Sequence, residues 1–125
     1  MEFKKVHEDE RGQIYAIGGM LTGDREIALL VTKRGYARGG CIHRRNPEFF
    51  IVLSGQVSYH IAHENEQIVG VGEAIEIPPG MPHYFETLMD TVAMEWGTTA
   101  SEREEYDTKL RRLVEEINRR HEGER

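Results

Sequence analysis

Four side chains of metal-ligand type, Cys41, His43, Glu48 and His83, carry the chemistry this sequence offers most plainly. Residues i and i+2 of a β-strand project to one face, so Cys41 and His43 are expected to stand side by side. The stretch Arg44 to Pro47 can turn the chain, letting Glu48 open the next strand and point back into the same space. Pro78-Pro79-Gly80 reads as a tight turn that presents His83 from a different strand pair. A thiol, two imidazoles and a carboxylate meeting in one enclosure make a transition-metal site. Singly, each has a plainer role: Cys41 as a small buried hydrophobe, Glu48 as a solvated charge, His83 as a surface group after a turn. The joint spacing carries the metal reading.

Positioning these groups falls to short strands. Apolar runs follow one another at Gln13 to Ile17, Glu26 to Thr32, Glu48 to Leu53, Gln56 to Ala62, Gln67 to Val71, Ala74 to Ile77 and Thr91 to Trp96. Turn signals part them, among them Gly18-Gly19, Ser54-Gly55, Glu64-Asn65 and Pro78-Pro79-Gly80. Such spacing predicts an antiparallel sandwich or barrel. Phe49 to Leu53 is apolar on both faces, which predicts a cover on the outer face, and a second subunit is the favoured one. Beyond Gly97, Ser101 with Glu104 forms a capping-box pattern, and Tyr106, Leu110, Leu113, Val114 and Ile117 recur at helical spacing. Acids early and arginines late in that segment suit a helix dipole. The expectation is one domain over residues 1–125, with a barrel over about 11–98 and a C-terminal helix over about 101–121.

Composition narrows the partners. A net charge of −6 argues against nucleic acid, which needs a positive face. Lys33, Arg34, Arg38, Arg44 and Arg45 are nevertheless close together beside the ligand residues. They are either solvated loop charges or a basic rim that attracts an anionic small molecule, with Arg38 and Arg45 as the contacts. Cys41 is the single cysteine, so no intrachain disulfide forms. Met1 to Glu10 has no apolar stretch of signal-peptide type, and no run of about 18 apolar residues exists to span a membrane. The expected compartment is the cytoplasm. His7, His60, His63 and His121 read as solvent-facing or structural.

Read forward, Gly35, five residues, Cys41, one residue, His43, four residues, Glu48, six residues and Gly55 form one pattern. Gly72, five residues, Pro78, one residue, Gly80, two residues, His83, three residues and Thr87 form a second. They resemble the two motifs of the cupin superfamily, G-x5-H-x-H-x3,4-E-x6-G and G-x5-P-x-G-x2-H-x3-N. Two positions depart: Cys41 stands at the first histidine and Thr87 at the closing asparagine. The resemblance implies an all-β fold, the double-stranded β-helix or jelly-roll barrel, with one α-helix appended here. It also implies a divalent transition metal held by Cys41, His43, Glu48 and His83. A thiolate in place of an imidazole softens the set toward Zn(II), Fe(II), Ni(II) or copper and away from Mn(II); alternatively Cys41 is an apolar filler and the site has lapsed.

The run Arg38-Gly39-Gly40-Cys41-Ile42-His43 is similar to the R-G-x-H-x-H run of cupins that epimerise or isomerise sugar nucleotides. That similarity implies an isomerase or epimerase acting on an anionic sugar derivative. Their first histidine acts as general base, and Cys41 replaces it here, so protons would move through His43, His83, Tyr84 or a water on the metal. Two other readings stand beside it. Fe(II) held by His43, Glu48 and His83 would make a dioxygenase or related oxidoreductase. A stand-alone, non-catalytic sugar or effector binder would need no reaction at all.

Overall fold

The computed structural model describes residues 2–18, 25–99 and 105–124. Their strands, numbered in chain order, form two antiparallel sheets. The first runs in the order β1 (Glu2–Asp9), β2 (Gly12–Gly18), β3 (Arg25–Thr32), β10 (Thr91–Thr99), β5 (Glu48–Ser54), β8 (Ala74–Ile77). The second runs β11 (Glu105–Tyr106), β4 (Ala37–Ile42), β9 (His83–Thr87), β6 (Gln56–Ile61), β7 (Gln67–Gly70). From β4 onward the chain passes repeatedly from one sheet to the other. Residues far apart in sequence therefore face each other across the interior, as in a jelly roll.

The alternation of each strand decides what enters that interior. In β5, Glu48, Phe50 and Val52 are buried while Phe49 and Ile51 are only half-buried. Phe50 and Val52 pack with Val57, Tyr59, Ile61 and Phe85 in the main core. Phe49 instead faces outward and stacks on Trp96, its partner across β10, with ring centroids 5.7 Å apart. The helix does not cover this face, because it packs on β4 and β9 of the other sheet.

Each of the seven anticipated strands has a counterpart whose ends differ by no more than two residues, apart from β10, which runs on to Thr99. The exposed β1 adds a strand ahead of the anticipated barrel. Its polar sequence buries neither face, so no period-two pattern marks it. The second residue of the Gly18-Gly19 turn and the Ser101-Glu104 capping box lie outside the described residues.

The helix α1 spans Thr108–Gly123, and its N-cap is Asp107, whose side chain accepts from the Leu110 N–H at 3.0 Å. Tyr106, expected on the apolar stripe, lies instead on β11 and is exposed. Leu110, Leu113, Val114 and Ile117 pack on Ala37 and Tyr84, the outer face of the second sheet. One polar contact fixes the docking: Asn118 Oδ1 accepts from the Ala37 N–H at 2.7 Å and its Nδ2 donates to the Ala37 carbonyl at 3.2 Å. None of the described helices is long and apolar enough to cross a membrane.

Because Ala37 is fully buried, Asn118→Ala leaves its N–H without that acceptor. A loss of about 1–3 kcal/mol is expected from the urea midpoint. A loss under about 0.5 kcal/mol would show that the helix docks through its apolar stripe alone.

Candidate metal centre

The site is built by a bulge. In β4, Arg38 pairs with Phe85 and Gly39 with Tyr84, but Cys41 then pairs with His83, so the register shifts by one across Gly40. Cross-strand partners share a face. Phe85 and His83 face the interior, so Arg38 and Cys41 both do too, although an unbroken strand would send residues 38 and 41 to opposite faces. Gly39 and Gly40 adopt φ values of +115° and +85°. A side chain at Gly39 would lie 2.9 Å from the Tyr84 Cα, and one at Gly40 would lie 2.8 Å from the Arg111 Cδ. Both positive φ and close approach call for glycine.

Just past β4, His43 meets the second motif, where its carbonyl accepts from the Gly80 N–H at 2.7 Å. The Pro78-Pro79-Gly80 turn is thus tied to the first motif before the chain reaches His83. Thr87 closes the motif from the other end, its hydroxyl donating to the Lys33 carbonyl at 2.7 Å and to the Tyr36 carbonyl at 3.1 Å.

These elements bring His43, Glu48 and His83 together, with one ligand atom from each lying within 4.8 Å of the others. Glu48 is 5% exposed and His83 3%. Glu48 Oε2 lies 2.8 Å from His43 Nε2, and Oε1 lies 3.4 Å from His83 Nε2. The imidazole centroids are 5.6 Å apart. His83 Nδ1 is 2.9 Å from the Met81 carbonyl, an acceptor only, so Nδ1 carries a proton and donates it. That bond leaves Nε2, the atom facing Glu48, as the nitrogen available to a metal. Burial alone would raise the Glu48 pKa. The hydrogen bonds from His43 and His83 outweigh it and hold the carboxyl at about 2. Two imidazoles and one carboxylate converging on a shared space fit a divalent transition ion, with coordination positions left open to a ligand.

The triad opens on a cavity of about 390 Å³ between the sheets. Cys41 lines it, opposite His83 in the β4–β9 pairing, but is not in the close set of three. Arg38 lines it as well and is 4% exposed. Its Nε donates to Thr32 Oγ1 at 2.8 Å and its Nη2 to the Val31 carbonyl at 3.4 Å, while Nη1 has no hydrogen-bond partner among the described residues. Burial, followed by repulsion from Arg11, lowers its pKa to about 10, which leaves the guanidinium charged at neutral pH.

Two other anticipated residues sit elsewhere. Arg45 is exposed in the turn between β4 and β5 and is not part of the cavity wall. Tyr84 points the opposite way from His83, as alternation along β9 requires; it packs under the helix and stacks on His60 at 4.4 Å. The wall also carries residues that sequence spacing does not single out: His7, Arg11, Tyr59, Glu95 and Arg111. His7 is exposed, as read from sequence, and also reaches the cavity because β1 brings that edge of the sheet to its mouth.

Several solved structures share this fold. The capsular polysaccharide assembling protein CapF of Staphylococcus aureus aligns at a TM-score of 0.72 and 23% identity, over 85% of this chain and 34% of that one. CapF with the inhibitor 3-isopropenyl-tropolone aligns at 0.64 and 25% identity, over 78% and 31%. The oxalate decarboxylase OxdC of Bacillus subtilis aligns at 0.68 and 19% identity, over 80% and 29%. This chain thus spans about a third of the length of these proteins. No curated protein matches the sequence significantly. Residues 35–99 match the family described as the cupin domain, a span that holds both motifs and all three converging side chains. The chain belongs to the cupin domain family.

Proposed function

We propose that this protein holds a divalent transition metal on His43, Glu48 and His83 and takes up a small anionic ligand beside it. The proposed chemistry is isomerase- or epimerase-like, on an anionic sugar derivative. One observation carries the reading: a buried, charged Arg38 presents an unpartnered Nη1 on the cavity wall that also holds the triad. Burying a guanidinium is costly; the carboxylates of Asp9, Glu95 and Glu10 offset part of that cost, and an anionic ligand offsets more. The Arg38-to-His43 run supports a sugar derivative through its likeness to sugar-nucleotide cupins, and the likeness to a capsular polysaccharide assembling protein agrees with it.

A bound metal supplies Lewis acidity toward a carbonyl or hydroxyl oxygen of the ligand. Should Cys41 join His43, Glu48 and His83 as a thiolate ligand, it would favour zinc, iron, nickel or copper over manganese. Arg38 orients the anion, and the buried sheet interior excludes water from the reacting atoms. With Tyr84 turned away, the groups that can handle a proton at the wall include Glu95 and Cys41. The two-histidine, one-carboxylate set also favours a second reading, an Fe(II)-dependent oxygenase. Oxygen uptake by the Fe(II)-loaded protein with its ligand supports that second reading, and turnover without uptake supports the first. Binding without turnover makes the protein a sensor or carrier. We propose further that it forms a homodimer, supported by exposed Leu53, Val71, Leu88 and Met89; light scattering that reads a monomer at micromolar concentration removes the idea.

Thermal-shift measurements test the main reading. Zn(II) is expected to raise the Tm of the wild type and not that of Glu48→Ala. On the Zn(II)-loaded protein, sugar phosphates, nucleotide sugars or 2-oxo acids are expected to raise it further. Arg38→Leu should weaken that binding by about tenfold or more, the scale of one charge-assisted bond. No response to Zn(II) or to any of these anions contradicts the proposal.

The charge of Glu48 gives a separate outcome for the metal-free protein. A carboxyl held below its unfolded value of 4.5 adds stability that is complete above that value and drains away as the pH falls toward about 2. The urea midpoint of the wild type should therefore drop on acidification through this window, and Glu48→Gln should show a flatter profile. Parallel profiles would mean that the carboxylate is not held by the two imidazoles.

A further inference from the structure

Among the described residues a second buried polar atom has no hydrogen-bond partner: the hydroxyl of Tyr59, a residue of the cavity wall. Tyr59 is 1% exposed and lies on β6, paired with Phe85 and facing inward. Its ring stacks at 16° on that of His83, 6.3 Å away, and is wedged between Phe50 at 4.9 Å and Phe85 at 5.8 Å. These contacts fix the orientation of the ring. A phenol is protonated at neutral pH, so its O–H is a donor. A buried hydroxyl close to the triad, with no acceptor among the described residues, is costly to the ligand-free fold unless something bound uses it.

We infer that Tyr59 determines ligand specificity: its O–H donates to an oxygen of the bound molecule, so the ligand carries an oxygen acceptor in addition to its anionic group. The inference rests on the metal-and-anion reading above and narrows it. Arg38 recognises the charge, and Tyr59 recognises the second oxygen. Simple carboxylates without a neighbouring hydroxyl or carbonyl are poor ligands, whereas hydroxy acids, oxo acids and acidic sugars qualify. A site built to hydrogen-bond one oxygen discriminates strongly against analogues that lack it.

Glycolate and acetate differ by that one oxygen, so they serve as probes by calorimetry on the Zn(II)-loaded wild type and Tyr59→Phe. The wild type is expected to prefer glycolate by tenfold or more. Tyr59→Phe should abolish the preference, weakening glycolate about tenfold and leaving acetate and Zn(II) affinity within about twofold. The ligand-free variant supplies a readout that a structural role would not give: its Tm should be unchanged or higher, because the unsatisfied hydroxyl is gone. A lowered Tm, or a glycolate preference that survives in Tyr59→Phe, overturns the assignment while the metal reading stands. A wild type that binds neither Zn(II) nor glycolate overturns both.

Discussion

The buried charge of Glu48 is the constraint on which the rest of this molecule turns. A carboxylate 5% exposed is tolerated only if donors or cations surround it. The two that do come from different elements, His43 from the turn after β4 and His83 from the start of β9. Bringing those together requires β4 and β9 to be neighbours and β5 to face them across the interior. The sheet-to-sheet crossings from β4 onward achieve this. The same carboxylate that would destabilise an empty core supplies, with its imidazoles, a preformed anionic pocket for a cation.

The second requirement is local. Without the shift at Gly39-Gly40, the side chain of either Arg38 or Cys41 would face the helix instead of the cavity. The bulge therefore sets a buried arginine and a thiol on one wall, beside the histidine that follows. The helix contributes indirectly. Its apolar stripe seals the outer face of β4 and β9, and Asn118 occupies the backbone groups of Ala37, one residue before Arg38. Packing on the outside thus fixes the strand that lines the cavity on the inside.

Much of this was legible in sequence because the signals are periodic or spaced. Glycines, the proline turn and the strand patterns located the barrel, and the interval from His43 to Glu48 with the turn before His83 located the triad. The parts that were not legible depend on long-range pairing. Strand β1 is polar on both faces, so only its partner β2 makes it a strand. Tyr84 follows His83 directly, and neighbours in sequence become opposites in a strand. Tyr59 sits in an ordinary apolar run, and its unpartnered hydroxyl exists only once Phe50, Phe85 and His83 close around it. Cys41 was anticipated as a ligand from its spacing; the register places it on the cavity wall opposite His83, outside the tight set.

The central claim is geometric, so the most direct measurement locates a metal. Crystals grown with Zn(II) and measured at its absorption edge should show one anomalous peak in the cavity. The account predicts that it lies about 2.0–2.2 Å from His43 Nε2, His83 Nε2 and a Glu48 oxygen. A peak bound elsewhere, or none at this position with zinc in excess, would contradict it.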